Sequence, residues 1–255
     1  MHILNSMNVE KLLNVVVKAG KMLIESGAEI YRVEETMIRL CQSYPDVQIA
    51  DSFVTGTGIM LSITVDGKTS TRIGRVRSKS VDLNLIDMIN SLSRRVSQDP
   101  ISVDELEKEI DRIERKERYS FWITLLFAGV GAAGFAIFFD GNITDSIAAF
   151  LIGILIRCVT TLFEKFRVNN FFTNAIASAI AVCCSIASAY LCQGIDYNIV
   201  IISSIMLLVP GLAITNAIRD TVAGDYLSGL SRGTEAFLTA LAIAIGAGFM
   251  LSILL

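Results

Sequence analysis

Arg157 lies inside Ile143–Phe163, a run otherwise apolar enough for lipid, roughly 6 Å past its centre by helix rise. A guanidinium there costs about 2.5–3.5 kcal/mol to insert, so it must meet a partner, a wet cavity or the headgroups. Glu164 follows seven residues later, on the same helix face. The side chain can snorkel to the interface; as a ligand, its fork matches a carboxylate. A second apolar run, Ile199–Ile218, carries Pro210 and Gly211 near its middle. Proline removes a helix hydrogen bond and frees the carbonyl of Met206. Broken membrane helices of this kind expose backbone to a midplane site, although a plain proline kink needs no site. A kink does not require the polar residues that follow, Thr215, Asn216, Arg219 and Asp220. Arg157, Pro210, Gly211, Thr215, Asn216, Arg219 and Asp220 are therefore candidates to bind a small polar or anionic metabolite. By helix rise Asn216 lies roughly 6 Å deeper than Arg157 and Asp220 about 12 Å deeper, so Arg157, the opened backbone and Asn216 are expected to line one cavity. Asp145 and Asp225 are candidates for proton coupling, or else a helix cap and a loop charge.

Other chemistries find little support. The only histidine is His2, which excludes His-based catalysis and His-ligated metals. There is no GxxxxGK[ST] phosphate loop and no GxSxG elbow. Cys41, Cys158, Cys183, Cys184 and Cys192 show no CxxC spacing and read as small hydrophobes. No metal, no cofactor and no enzyme activity are expected. A net charge of -3 argues against a nucleic-acid partner. Glu29, Arg32, Glu34 and Glu35 form a charged patch that reads as a solvated face or an interface.

The elements that must position these residues fall in two parts. Charged residues make up 18% of the chain, below the roughly 25% of soluble domains. Residues 1–118 hold 17 of the 22 Lys/Arg and 18 of the 25 Asp/Glu, so a domain boundary is expected after Arg118. Beyond it run Phe121–Phe139, Ile143–Phe163, Phe171–Cys192, Ile199–Ile218 and Thr234–Leu255, each close to the roughly 20 residues of a bilayer span. Basic residues flank the first span (Arg112, Arg115, Lys116, Arg118), follow the second (Lys165, Arg167) and follow the fourth (Arg219, Arg232). Asp140–Asn142 and Gln193–Asn198 have none. The positive-inside rule then puts the N-terminal domain in the cytoplasm and the C-terminus outside, in a multi-pass plasma-membrane protein. Small residues at four-residue spacing predict close helix packing: Ala177, Ala181, Ser185 and Ala189; Ala240, Ala244 and Gly248; Gly129 and Ala133.

Residues 1–118 read as an α+β domain in the order α-α-β-β-β-α-α. The first 30 residues mix apolar and charged positions as a folded helix does, not as a signal peptide. Val9, Leu12, Leu13, Val16, Leu23 and Ile24 form one helical stripe, capped at Gly27. A second helix runs from about Ala28 to Gln42, stopped by Pro45. Val47–Val54 reads as a strand. Ile59, Leu61, Ile63 and Val65 alternate with polar or weakly apolar residues, turn at Asp66–Gly67 and return over Lys68–Arg77. Helices are expected over Ser80–Ser97 and Ser102–Arg118, the latter opened by a Ser102–Glu105 capping box.

The segment LLVPGLAITNAIRDTVAGDYLSGLSRGTEAFLTALAIAIG (Leu207–Gly246) resembles the signature of the threonine/serine exporter family, and LIESGAEIYRVEETMIRL (Leu23–Leu40) is similar to that family's soluble domain. The likeness covers essentially the whole chain. Its motif positions here are Pro210, Gly211, Thr215, Asn216, Arg219, Asp220, Gly224 and Asp225. The resemblance implies an ion-gradient-driven exporter of small amino acids or dicarboxylates, such as threonine/serine or succinate. Split members pair a chain like this one with a second, smaller membrane protein, so such a subunit, or a homo-oligomer, is the partner implied within the lipid bilayer. A scaffold or sensor for a partner channel, and a membrane-tethered enzyme, are the competing classes.

Overall fold

The computed structural model describes residues 6–76, 80–116 and 119–254; His2, Arg77, Arg118 and Leu255 lie outside them. The chain separates into two compact units, Met1–Glu117 with Leu212–Gly233, and Arg118–Gly211 with Thr234–Leu255.

In the first unit, α1 (Ser6–Glu25) turns Leu12, Leu13, Val16, Leu23 and Ile24 into the core. It ends in a Schellman cap: Ala28 N–H donates to Leu23 O (3.0 Å) and Gly27 N–H to Ile24 O (3.1 Å), with Gly27 at φ +89° where a side chain would strain. α2 (Ile30–Gln42) follows, then an antiparallel sheet of β1 (Val47–Thr55), β2 (Gly58–Val65) and β3 (Lys68–Arg75) in that order. Ile59, Leu61, Ile63 and Val65 are buried beneath the helices, each such side chain contributing about 1.5–3 kcal/mol. Asp66 and Gly67 both take positive φ, making the tight hairpin.

α3 (Leu83–Gln98) begins later than Ser80, because Asp82 is the residue that caps it, accepting Leu85 N–H at 3.0 Å. α4 (Val103–Glu114) opens with the Ser102–Glu105 capping box and closes its last turn at Arg115. Cys41 is buried in this core, and desolvation pushes its thiol up to about 12, away from nucleophilic use.

The second unit contains α5 (Phe121–Phe138), α6 (Ile143–Lys165), α7 (Asn170–Leu191), α8 (Tyr197–Ile205) and the body of α10 (Tyr226–Leu254). Among the described residues, four helices are long and apolar enough to cross a bilayer: α5, α6, α7 and α10. The run Ile199–Ile218 does not form the single helix expected. It is divided into α8 and α9 (Gly211–Val222), with residues 206–210 outside any helix. Pro210 cannot donate to the ladder and restricts Val209 before it, so the break is wider than a kink. At nine residues α8 is about 14 Å long, short of the roughly 30 Å hydrocarbon layer.

Small residues set the packing. Ala132 and Ala136 of α5 and Ala148, Ala149, Ile152 and Ile156 of α6 share one cluster with Ala177 and Ala181 of α7, Val200 of α8 and Ile243 of α10. Ser185 of the α7 ladder is also buried. The stripe expected to pack on α10 is the wrong one: Ala240, Ala244 and Gly248 are exposed, and Ala242, Ile243 and Gly246 face inward. Gly246 is there because a Cβ would strike Ala175 O and Ser178 Oγ. Trp122, Phe127, Phe138, Phe237 and Phe249 are each more than 60% exposed, an apolar girdle that only lipid or another protein would cover.

Candidate functional site

The polar residues after the helix break meet the corner between α1 and α2. That corner runs over Ser26–Glu29; the Glu29 carbonyl accepts the Val33 N–H of α2 and the Ser26 carbonyl the Asp82 N–H, while the Gly27 and Ala28 carbonyls take side-chain donors. Asn216 Nδ2 donates to Gly27 O at 2.8 Å, and Arg232 Nη2 donates to Ala28 O at 2.6 Å. Asp220 Oδ1 accepts the Ile30 N–H at 3.2 Å. This caps α2 from another part of the chain, since Glu29 at the N-cap position makes no side-chain cap of its own. A carboxylate at a helix N-terminus is also favoured by the helix dipole. Asp220 Oδ2 lies 3.2 Å from Arg232 Nε, an ion pair without hydrogen-bond geometry, with side chains 0% and 10% exposed.

Arg219 is paired to Glu29, and Arg32 Nε stands 3.3 Å from the same carboxylate. Burial alone would raise Glu29; its own backbone N–H, Arg219 and Arg32 outweigh that and hold it below the ordinary carboxylate range. The charged patch at the start of α2, expected as a solvated face or an interface, is partly engaged: Glu29 takes the two arginines, and Glu34 Oε1 accepts Val54 N–H at 2.9 Å.

Arg157 stands in different surroundings. In the second unit its Nη1 lies 3.6 Å from Glu164 Oε1, with side chains 37% and 57% exposed. This is too long for a hydrogen bond and leaves the fork with donors to offer. The pair opens on a cavity of about 320 Å³ that also takes in Thr160, Asn170, Thr173 and Asn174, with Leu207 and Leu208 from the segment between α8 and Pro210. Asn216 is not among the cavity's lining residues. Pro210 and Gly211 form the end of the break, where Gly211 N–H turns back to Val209 O at 2.9 Å. Thr215 is exposed on α9.

Asp145 is buried and works as a cap. Its Oδ2 accepts Asn142 N–H (2.9 Å) in a capping box at the start of α6, and its Oδ1 accepts Asp196 N–H (2.8 Å), holding the loop before α8. Asp225 accepts Ser228 N–H at 3.1 Å as α10 starts, just after Gly224 at φ +93°. Among the described residues no group of three His, Cys, Asp or Glu could hold a metal ion.

Reasoning from sequence missed Arg232 as a partner of Asp220, since nothing local distinguishes it from a loop cation. It also missed Asn170 and Asn174, although an i, i+4 amide pair at the head of an apolar run is a visible signal.

Four apolar helices, three of which line a polar cavity, define a multi-pass membrane protein. Residues 14–254 match the family described as "Putative threonine/serine exporter". The chain belongs to the threonine/serine exporter family. It is 27% identical over 244 residues to the "Probable threonine/serine exporter" of Mycobacterium tuberculosis, covering 93% of this chain but 45% of that protein. It is 23% identical to the "Probable succinate transporter subunit YjjP" of Escherichia coli K12, covering 93% of this chain and 92% of the relative. The "Threonine/serine exporter" of Corynebacterium glutamicum is 24% identical, with 94% and 50% covered. The chain thus spans about half the length of the two relatives named as exporters and nearly all of the one named as a subunit. No solved structure matches it.

Proposed function

We propose that this chain is one subunit of an ion-gradient-driven exporter, with Arg157 and Glu164 forming its substrate site. The observation that carries this reading is the cavity where an incompletely satisfied arginine meets non-helical backbone, at Leu207 and Leu208. Interrupted helices offer backbone groups that an intact helix keeps for itself. A guanidinium and a carboxylate 3.6 Å apart suit a zwitterion: Arg157 takes the carboxylate, Glu164 the ammonium, and the Asn and Thr side chains a hydroxyl. A dicarboxylate would meet Glu164 as a like charge, which supports a small hydroxy amino acid. The relative of matching length named as a succinate transporter subunit keeps the dicarboxylate as the second reading.

In this reading the N-terminal domain is cytoplasmic and the interrupted run Ile199–Ile218 makes a fifth crossing. A second, smaller subunit or another copy of the chain completes the transporter, and the exposed Ala240, Ala244 and Gly248 offer a close-packing face for it. The test is export from cells lacking their own exporters, with and without a co-expressed partner. Arg157→Gln should abolish export while the chain still inserts, and Arg157→Lys should lower it. Normal export by Arg157→Gln would make the arginine a headgroup anchor and move the site elsewhere. A reporter at the C-terminus should read the exterior; a cytoplasmic reading would reduce the crossings to four.

A further inference from the structure

The soluble unit sorts its charges by helix face. On α4, Asp104, Glu107, Asp111 and Glu114 recur every three or four residues, and Lys11 and Lys18 of α1 take all four, at 2.6–2.8 Å for Glu107, Asp111 and Glu114. Two lysines thus offset half the charge of the acidic stripe and hold it on the α1 side of the helix. The remaining cations of this helix and its end, Lys108, Arg112, Arg115 and Lys116, line a groove of about 1010 Å³ against α3, joined there by Arg95. Only Asp87, Glu109 and Asp111 oppose them among the lining residues, and Asp111 is held by Lys18 at 2.7 Å. Inside the groove Arg95 donates to Glu109 at 3.1 Å with its side chain 60% exposed, while Arg112–Glu109 at 3.9 Å and Arg115–Asp111 at 4.0 Å are loose, with both arginine side chains 82% exposed. Pairs so exposed hold little energy and leave the guanidinium forks available. Met88, Leu92 and Ile113 give the groove an apolar floor.

We propose that this groove binds the phosphate headgroup of an anionic phospholipid, from the leaflet at the start of α5. The chain itself sets the distance. Tyr119 and Trp122, 75% and 76% exposed, are the amphipathic rings that seat at a membrane interface. Lys116 and Tyr119 are three positions apart in the chain, at most about 11 Å of extended backbone. Chain connectivity thus keeps Lys116, one of the groove's lining cations, within reach of the headgroups. Basic clusters beside a spanning helix attract anionic lipid; here the forks suit a phosphate and the floor suits the first methylenes below it. The inference requires α5 to cross the bilayer and does not depend on what is transported.

The experiment uses the full chain in bilayers of phosphatidylcholine and phosphatidylglycerol, extracted in mild detergent, with co-purifying lipid measured by mass spectrometry. Each cation near a membrane surface is worth about fivefold in binding. The groove pair Arg95→Gln with Arg112→Gln should therefore weaken phosphatidylglycerol retention roughly 30-fold, leaving phosphatidylcholine unchanged. Lys68→Gln with Arg72→Gln, which removes the same charge from exposed β3, should change nothing. Equal losses in both pairs would show diffuse attraction and overturn the site, as would full retention in the groove pair. Phosphatidylglycerol with a photoreactive headgroup, applied to the unsubstituted chain, should crosslink to residues 87–95 and 108–116. Crosslinks confined to the apolar helices would overturn the proposal even if the substituted chains misfold.

Discussion

Asn216, Asp220 and Arg232 each reach a fixed partner at the α1–α2 corner, the Gly27 carbonyl, the Ile30 amide and the Ala28 carbonyl, and Asp220 and Arg232 pair with each other, all in the dry part of one unit. Arg157 and Glu164 face each other across 3.6 Å beside an open cavity. Both clusters are built from charged and amide side chains of the kind that mark transport sites in apolar helices. The difference lies in exposure. Asp220 gives one oxygen to an amide and sets the other, which accepts no hydrogen bond, against a buried guanidinium, so a ligand would have to displace a partner and disturb the fold. A half-exposed ion pair with spare donors can exchange its partner for a substrate. Of the motif residues that resemblance puts forward as ligands, Asn216, Arg219 and Asp220 are thus read better as the joint that holds α9 to the soluble core.

The largest effect should come from breaking the closed cluster. Asp220→Ala strips Arg232 of its counter-charge in a buried setting and leaves the Ile30 N–H without its acceptor. Removing one partner of a buried pair costs about 3–5 kcal/mol, a large fraction of a typical domain's stability. The chain should fail to accumulate, or should melt far below the wild type in detergent. Asp220→Leu with Arg232→Met, which removes both charges and keeps the volume, should recover part of the loss. A stable Asp220→Ala chain that has merely lost export would reverse the assignment and return Asp220 to the substrate site.

The contrast between the clusters also marks where reading from sequence stops. The α1 stripe, the β2 alternation, the Asp66–Gly67 turn and the Ser102–Glu105 box are all local: neighbours within a few residues decide them, so periodicity and turn chemistry expose them. Arg157 was visible because an ion in an apolar run is costly wherever it points. The Asp220–Ile30 contact joins residues 190 apart, and no local pattern separates a buried capping carboxylate from a solvated one. Pro210 announced a break, but its extent over residues 206–210 follows from how the turn closes. On α10 two stripes of small residues lie side by side, and Ala175 and Ser178 of the neighbouring helix decide which is used.

A middle-sized effect should appear at the open cluster. Glu164→Gln removes the negative charge from the cavity but keeps a polar side chain of the same shape. Because Glu164 is 57% exposed, stability should change by less than about 1 kcal/mol. Selectivity should move more. An amino acid loses the partner of its ammonium, and a dicarboxylate loses a like-charge neighbour. The ratio of threonine to succinate exported, measured side by side, should fall by roughly tenfold, the size of one charge-assisted hydrogen bond. An unchanged ratio would mean that Glu164 does not touch the substrate, and would leave Arg157 as a carboxylate site without an ammonium site beside it.

The smallest effect concerns Glu29, the one carboxylate of the closed cluster that still reaches solvent through its partners. Arg219 is 55% exposed, so this ion pair should contribute well under the buried one, about 0.2–1 kcal/mol. Its sign with pH is defined. The folded-state value of Glu29 is lowered from 4.5, so folding favours the ionised form. That contribution is fully present above the unfolded value and disappears as pH falls through the lower folded value. Glu29→Gln has nothing to titrate at this position. The wild type should therefore melt higher than Glu29→Gln at neutral pH, and the gap should narrow below about pH 4.5. Melting of the two chains in parallel across that range reads the difference directly. A gap that stays constant into acid would mean that Glu29 holds the corner by shape and backbone contacts alone. Arg219 would then be free of the joint and available to a ligand, which would bring it back among the candidates for the substrate site.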